Sequence, residues 1–134
     1  MKALRLAFAC VLAIASAAPA VAHHSFAAFD RDRQITLTGV VREFQWSNPH
    51  AWIQVVVTDE KGRTAEWGLE CGSPNMMART GWKRTTLKPG DRIVAVANPL
   101  KDGKPNASLV RITLPDGRDL GPGDAPPPRP LVER

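Results

Sequence analysis

Three histidines are the residues of this sequence best suited to hold a metal ion. His23 and His24 are adjacent, and His50 lies further along the chain. If His23 becomes the first residue, its α-amine and imidazole can chelate one ion, and another imidazole would complete a site of the histidine-brace type. Nitrogen donors of this kind favour Cu(II), with Zn(II) as the alternative. We therefore expect a metal site formed by His23, His24 and His50, with His24 or Asp30 as the secondary ligand.

The site requires that His23 become the amino terminus. Residues 1–22 have a basic start, an apolar run and a final Ala-Val-Ala sequence, which predict a cleaved signal peptide and a periplasmic product. The apolar run is shorter than the ~20 residues that span a bilayer, so we expect no stable membrane insertion after cleavage. Cleavage after Ala22 leaves His23 first, whereas cleavage after Val21 leaves Ala-His-His. We favour the first because small residues are preferred before the cut.

Composition and charge narrow the class of protein. The chain has 134 residues, with 18 Lys plus Arg and 13 Asp plus Glu, which suits one domain. Loss of Lys2 and Arg5 with the signal would lower the net charge from +5 to +3. Because this charge is small, and Glu66 and Glu70 are expected on the ligand-facing strands, we predict no nucleic-acid partner. The remaining cysteine, Cys71, lies on the apolar side of an alternating strand, which favours a packed residue over a redox thiol.

Apolar alternation predicts the elements that position these residues. The predicted fold is an all-β, five-stranded OB-like Greek-key barrel with one short helix between strands 3 and 4; an open sandwich or an SH3-like barrel is the alternative. The strands are expected at 35–46, 51–58, 65–71, 93–97 and 107–114, and the helix at 73–81. The expected inward side chains are Ile35, Leu37, Val41, Ile53, Val55, Val57, Trp67, Leu69, Ile93, Ala95, Val110, Ile112 and Leu114.

Three domain boundaries follow from the composition. Residues 23–34 form an N-terminal arm and residues 35–120 the barrel. Residues 121–134 carry five prolines and predict a disordered tail, because such a composition buries little apolar surface.

No motif of a nucleophile elbow, a phosphate-binding loop or a dinucleotide site occurs, so we expect a binding protein rather than an enzyme. Glu66 and Glu70 would lie roughly 13 Å apart along a strand, too far for a glycosidase-like pair. A metal-free alternative is a small-ligand or protein-adaptor module whose binding face is lined by Trp46, Trp52 and Trp82.

Several segments together resemble a known family. They are His23–Asp30, Trp46–Trp52, Glu66–Trp67 with Gly72–Asn75, Gly81–Trp82 and Leu87–Asp91. In these segments the chain resembles DUF6152, a group of small exported proteobacterial proteins of unknown function. The resemblance spans nearly all of residues 23–120 and implies export, but it brings no established activity. The family pattern suggests a small residue such as Gly at position 71, and Cys71 departs from it.

Overall fold

The computed structural model describes residues 26–123, so the predicted signal peptide, His23 and His24 lie outside the described residues. Within residues 26–123, a 3-10 turn at Phe26–Ala28 precedes six strands and one α-helix. In chain order these are β1 (Ile35–Gln45), β2 (Trp52–Thr58), β3 (Thr64–Glu70), α1 (Pro74–Arg79), β4 (Arg92–Pro99), β5 (Asn106–Thr113) and β6 (Asp119–Leu120).

The first five strands close into a barrel. Antiparallel ladders join β1 to β2 and β4, β2 to β3, and β4 to β5. The parallel pairing of β3 with β5, in which Leu69 faces Ala107, closes the sheet and excludes the open sandwich. This order, with α1 between β3 and β4, is that of the OB barrel, so the predicted fold is confirmed. The short β6 was not predicted and pairs with β5.

The long strand β1 pairs with both β2 and β4 because it bends. A Cβ atom on Gly39 would lie 2.5 Å from the carbonyl oxygen of Val56, so only glycine fits this close approach. The register then shifts between Val41 and Glu43, which identifies a β-bulge. The bulge explains why core-facing apolar residues occupy odd-numbered positions up to Val41 and then an even-numbered position at Phe44.

Inward side chains from all five strands fill the barrel. The buried apolar cluster contains Leu37, Val41, Ala51, Ile53, Val55, Leu69, Cys71, Met77, Trp82, Leu87, Ile93, Ala95, Ala97, Ala107, Leu109, Ile112 and Leu114. Cys71 therefore packs in the core, as predicted. The prediction of Val110 as an inward residue is wrong: a register shift in the β4–β5 ladder places Leu109 opposite Ala97, and Leu109 is buried instead.

The helix α1 lies within the predicted range 73–81 and has capping residues at both ends. The Ser73 hydroxyl accepts the Met76 N–H at 3.4 Å, Pro74 occupies the first turn, and Gly81 has a φ of +98° just past the end. No helix within residues 26–123 is long and apolar enough to cross a membrane.

The start of the predicted tail packs beside α1. The carbonyl oxygen of Gly121 accepts the indole N–H of Trp82 at 2.8 Å, and that of Pro122 accepts the Gly72 N–H at 2.8 Å. Gly123 is buried against Met77. The tail boundary predicted at residue 121 is therefore wrong for residues 121–123, and residues 124–134 lie outside the described part of the chain.

Candidate functional site

His50 lies two residues before the start of β2, at one end of the β2–β3 ladder. The ladder continues past both strands, because the Ala51 N–H donates to the Gly72 carbonyl oxygen at 3.0 Å. Trp52 is paired directly with Glu70. His50 is therefore diagonally opposite Glu70, and the two side chains are within reach of each other.

His50 and Glu70 form a hydrogen-bonded pair between the imidazole Nδ1 and the carboxylate Oε1. The Glu70 side chain is 8% exposed and that of His50 is 25% exposed. A carboxylate this deeply buried requires hydrogen-bond partners, and the imidazole supplies one. In a neutral imidazole that donates from Nδ1 to the carboxylate, Nε2 is the nitrogen that carries the lone pair.

Glu70 lines a cleft of about 360 Å³. Three parts of the chain form its walls: the end of β3 with the residues after it, the facing parts of β4 and β5, and the N-terminal arm. The polar side chains among its walls are those of Arg31, Gln34, Glu70, Asn98 and Ser108. Phe29, Leu109, Val110 and Pro122 make much of the remaining surface apolar.

The arm is fixed along β4 by specific hydrogen bonds. The Asp30 N–H donates to the Pro99 carbonyl oxygen at 2.8 Å, and the side-chain amide of Asn98 donates to the Arg33 carbonyl oxygen at 2.7 Å. The arm thereby contributes to the cleft wall beside Glu70. Glu70, which was expected on the ligand-facing strands beside Glu66, is buried rather than exposed to a ligand, because this arm and the parallel β3–β5 pairing enclose it.

Of the predicted metal ligands, the structure describes only His50 and Asp30. Asp30 lines a separate depression, and its carboxylate accepts the Asp32 N–H at 3.2 Å. Among residues 26–123, no three His, Cys, Asp or Glu side chains are grouped closely enough to hold a metal ion. The site formed with His23 and His24 stays a prediction.

The three tryptophans of the alternative prediction do not share a surface. Trp82 is 1% exposed and belongs to the core, so it cannot line a binding face. Trp46 packs edge-on against Phe44, with ring centroids 5.7 Å apart. Trp52 is half-buried on β2, on the side opposite the inward-facing Ile53.

Sequence reasoning missed the pairing of His50 with Glu70, although the hairpin contains a signal for it. The loop between β2 and β3 places Thr58 opposite Thr64. Continuing that register along an ideal ladder places residue 72 opposite His50 and residue 70 on its diagonal.

Comparison with solved structures finds two crystal structures of one protein, both at low sequence identity. A crystal structure of the mitochondrial single-stranded DNA binding protein Rim1 from S. cerevisiae matches with 12% identity and a TM-score of 0.45, covering 61% of this chain and 93% of that one. A selenomethionine-labelled structure of the same protein matches with 13% identity and a TM-score of 0.40, covering 61% and 92%. A comparison with curated proteins gives no match.

The prediction that excluded nucleic acid as a partner is contradicted by these matches, because Rim1 is a single-stranded DNA binding protein. Small net charge was too weak a reason for that exclusion, since a local surface rather than the whole chain meets a partner. DNA binding itself is a property of Rim1, and at this level of identity the likeness concerns the fold.

The protein-family comparison covers most of the barrel. A family model matches residues 11–109, which include His50, Glu70 and all of β1 to β4. The chain therefore belongs to DUF6152, a family of unknown function.

Proposed function

We propose that this protein is an exported, non-enzymatic binding protein that binds Cu(II) or Zn(II) through His50 and the histidine pair His23 and His24. The observation that carries the proposal is the hydrogen bond between His50 Nδ1 and the buried carboxylate of Glu70. Histidine ligands of metals commonly donate their second ring N–H to a carboxylate, which fixes the ring and raises its basicity. Glu70 would act as this positioning residue.

The length of the arm supports a site that joins the amino terminus to the barrel. Phe29 lines the same cleft as Glu70. His24 precedes Phe29 by five residues, a length of chain that extends at most ~16–18 Å at ~3.3–3.6 Å per residue. The chain between the histidine pair and Phe29 is therefore short enough to keep His23 and His24 near the cleft. Residues 26–123 contain no group of three His, Cys, Asp or Glu side chains close enough to hold a metal ion, so the proposed ligand set needs His23 and His24.

The donor set favours Cu(II) over Zn(II). A terminal His23 would supply an amine and an imidazole nitrogen, and His50 would supply a second imidazole. By the Irving–Williams order, nitrogen donors bind Cu(II) most tightly among the divalent first-row metals. Cys71 is buried in the core and is not part of this proposed ligand set.

Isothermal titration of Cu(II) and of Zn(II) into the processed protein tests the proposal. The first residue is identified by mass beforehand, which also tests export and cleavage. We expect binding of one Cu(II) ion that weakens at least about tenfold in His50→Ala and about 10–100-fold in Glu70→Gln. Glu66→Gln is the matched control, because Glu66 is an exposed carboxylate on the same strand.

Two results would contradict the proposal. Copper affinity equal in His50→Ala and the unmodified protein would identify a terminal chelator in which the barrel takes no part. Affinity no greater than that of a His-His-Ser peptide would remove the metal site altogether. One extra residue before His23 should also weaken binding, because it displaces the terminal amine from the imidazole.

A further inference from the structure

Positive charge is concentrated in the connection between α1 and β4. Residues 79–92 contain five cations, Arg79, Lys83, Arg84, Lys88 and Arg92, and one acid, Asp91, which gives a net charge of +4. The rest of residues 26–123 contains nine cations and ten acids, a net charge of −1. We name residues 79–92 the basic segment.

The cations of the basic segment differ in their partners from most of the nine cations elsewhere in residues 26–123. Within residues 26–123, none of its five cations takes part in an ion pair, and all five are exposed. Five cations elsewhere in that range pair with carboxylates: Arg42, Arg63, Lys104, Arg111 and Arg118. Among residues 26–123, the net positive charge of the basic segment is thus carried by cations that form no ion pair.

The fold holds this charge in place. Trp82 and Leu87 are buried and anchor the basic segment to the core. The Lys83 N–H donates to the Thr86 hydroxyl at 2.7 Å, and the Lys88 N–H donates to the Asp91 carboxylate at 2.9 Å. The only acid of the segment therefore closes a turn, and the cations extend from an anchored backbone.

An exposed apolar side chain lies beside each end of the basic segment. Met76 is 40% exposed and precedes Arg79 by three residues, which places both on one face of α1. Val94 is 39% exposed and follows Arg92 by two residues, on the same face of β4. Met76 and Val94 are the large hydrophobic residues that stand out as exposed among residues 26–123.

We propose that the basic segment, with Met76 and Val94 at its borders, binds the surface of a lipid bilayer that contains anionic phospholipids. Anionic headgroups attract lysine and arginine side chains held near the surface, and exposed apolar side chains enter the interface. Single-stranded nucleic acid is instead held by aromatic side chains on which bases stack, whereas neither Met76 nor Val94 is aromatic. The basic segment and the proposed metal site share no residue, so either proposal can fail alone.

Co-sedimentation with vesicles tests the proposal on the processed protein. One set of vesicles is phosphatidylcholine alone, and the other contains phosphatidylcholine and phosphatidylglycerol in a ratio of about two to one. We expect binding to the mixed vesicles only, weakened by salt, and reduced about a hundredfold in the triple variant Lys83→Gln, Arg84→Gln, Lys88→Gln. Met76→Ser should weaken binding several-fold without changing its salt dependence, because it removes an apolar contact.

The control variant is Arg63→Gln, Lys104→Gln, Arg118→Gln, which removes the same total charge from exposed, ion-paired positions. It should change vesicle binding by about twofold or less, since these cations lie outside the basic segment. Equal losses in the two triple variants, equal binding to both vesicle types, or no vesicle binding would each overturn the proposal. A single-stranded oligonucleotide is titrated in parallel: binding that the first triple variant abolishes, without vesicle binding, would assign the surface to nucleic acid instead.

Discussion

Two regions of the molecule, the His50–Glu70 pair and the basic segment, differ in the burial and pairing of their charged side chains. Glu70 is buried, and its carboxylate is met by the imidazole of His50. The cations of the basic segment are exposed and meet no carboxylate among residues 26–123. Both regions are attached to the same hydrophobic core. They differ in whether neighbouring residues bury and pair the charged side chains.

The difference indicates two kinds of ligand. A buried, hydrogen-bonded pair fixes the direction of a donor atom, which suits a small ion that requires defined geometry. Several unpaired cations on a surface create a field without a single preferred direction, which suits an extended anionic surface. The predictions below ask whether the two regions differ in their contribution to stability as they differ in burial and pairing.

The largest effect should come from Trp82, which belongs to the basic segment and also to the core. Its ring lies 5.6 Å from that of Phe44, and its N–H binds the Gly121 carbonyl oxygen. We expect Trp82→Ala to lower the free energy of unfolding by about 3–5 kcal/mol, through the cavity it leaves. Urea denaturation measures the change. Trp52→Ala, at a half-buried position, should cost clearly less, and equal losses would contradict the assignment of Trp82 to the core.

The next effect should distinguish two carboxylates on β3. Glu70→Ala removes the acceptor from a partly buried imidazole, so we expect a loss of about 1–3 kcal/mol in the free energy of unfolding. Glu66→Ala breaks an ion pair with Arg42 whose side chains are about half exposed, which should cost about 0–1 kcal/mol. Urea denaturation of both variants at neutral pH provides the comparison. A Glu70→Ala loss no larger than that of Glu66→Ala would show that the His50 pair contributes little.

A smaller effect is expected from the cations of the basic segment. Neutralising Lys83, Arg84 and Lys88 together should change the free energy of unfolding by no more than about 0.5 kcal/mol, because none of their side chains forms an ion pair with a carboxylate among residues 26–123. Any change should be a gain that fades with salt, since like charges repel. Thermal unfolding at low and high salt measures it. A loss above about 1 kcal/mol would mean that these cations stabilise the fold.

The barrel could be predicted because the sequence patterns that specify its strands and helix are local, and those of the strands are periodic. Alternation in β2 and β3, the capping residues of α1 and the position of Gly39 each appear within a few residues of sequence. The burial of Leu109 instead of Val110 could not be predicted in this way, because the register shift depends on how β5 aligns with β4.

The candidate site was less accessible from sequence. His50 could be identified by its chemistry, but the burial of Glu70 depends on the path of the arm across β4. Likewise, the five cations of the basic segment are visible in the sequence, whereas only the fold of residues 26–123 shows that none of them pairs with a carboxylate there. The ion pairs of the turns differ in this respect, because Asp59 and Arg63, or Asp116 and Arg118, are neighbours in sequence.

These turns provide the smallest and most local prediction. The pKa of Asp59 is lowered from its ordinary value of 3.8, chiefly by the backbone N–H of Arg63, then by the Arg63 side chain, with a further backbone hydrogen bond from Lys61. The folded-state pKa is thus below that of the unfolded chain. The contribution of Asp59 to stability is therefore present at neutral pH and is lost as the pH falls below 3.8 through the folded-state pKa.

Arg63→Gln should raise the pKa of Asp59 only part of the way to its ordinary value, because the backbone donors of residues 61 and 63 remain. Titration of the carboxyl carbon resonance by NMR measures this shift. Arg118→Gln is the matched control: it should raise the pKa of Asp116, which is lowered by the same kind of contacts, and leave Asp59 unchanged. Full return of Asp59 to its ordinary value in Arg63→Gln would mean that the guanidinium, and not the turn backbone, holds the charge. In that case the side-chain ion pair alone would lower the pKa of the turn carboxylate. The turn cations would then differ even more from the cations of the basic segment, which form no ion pair among residues 26–123.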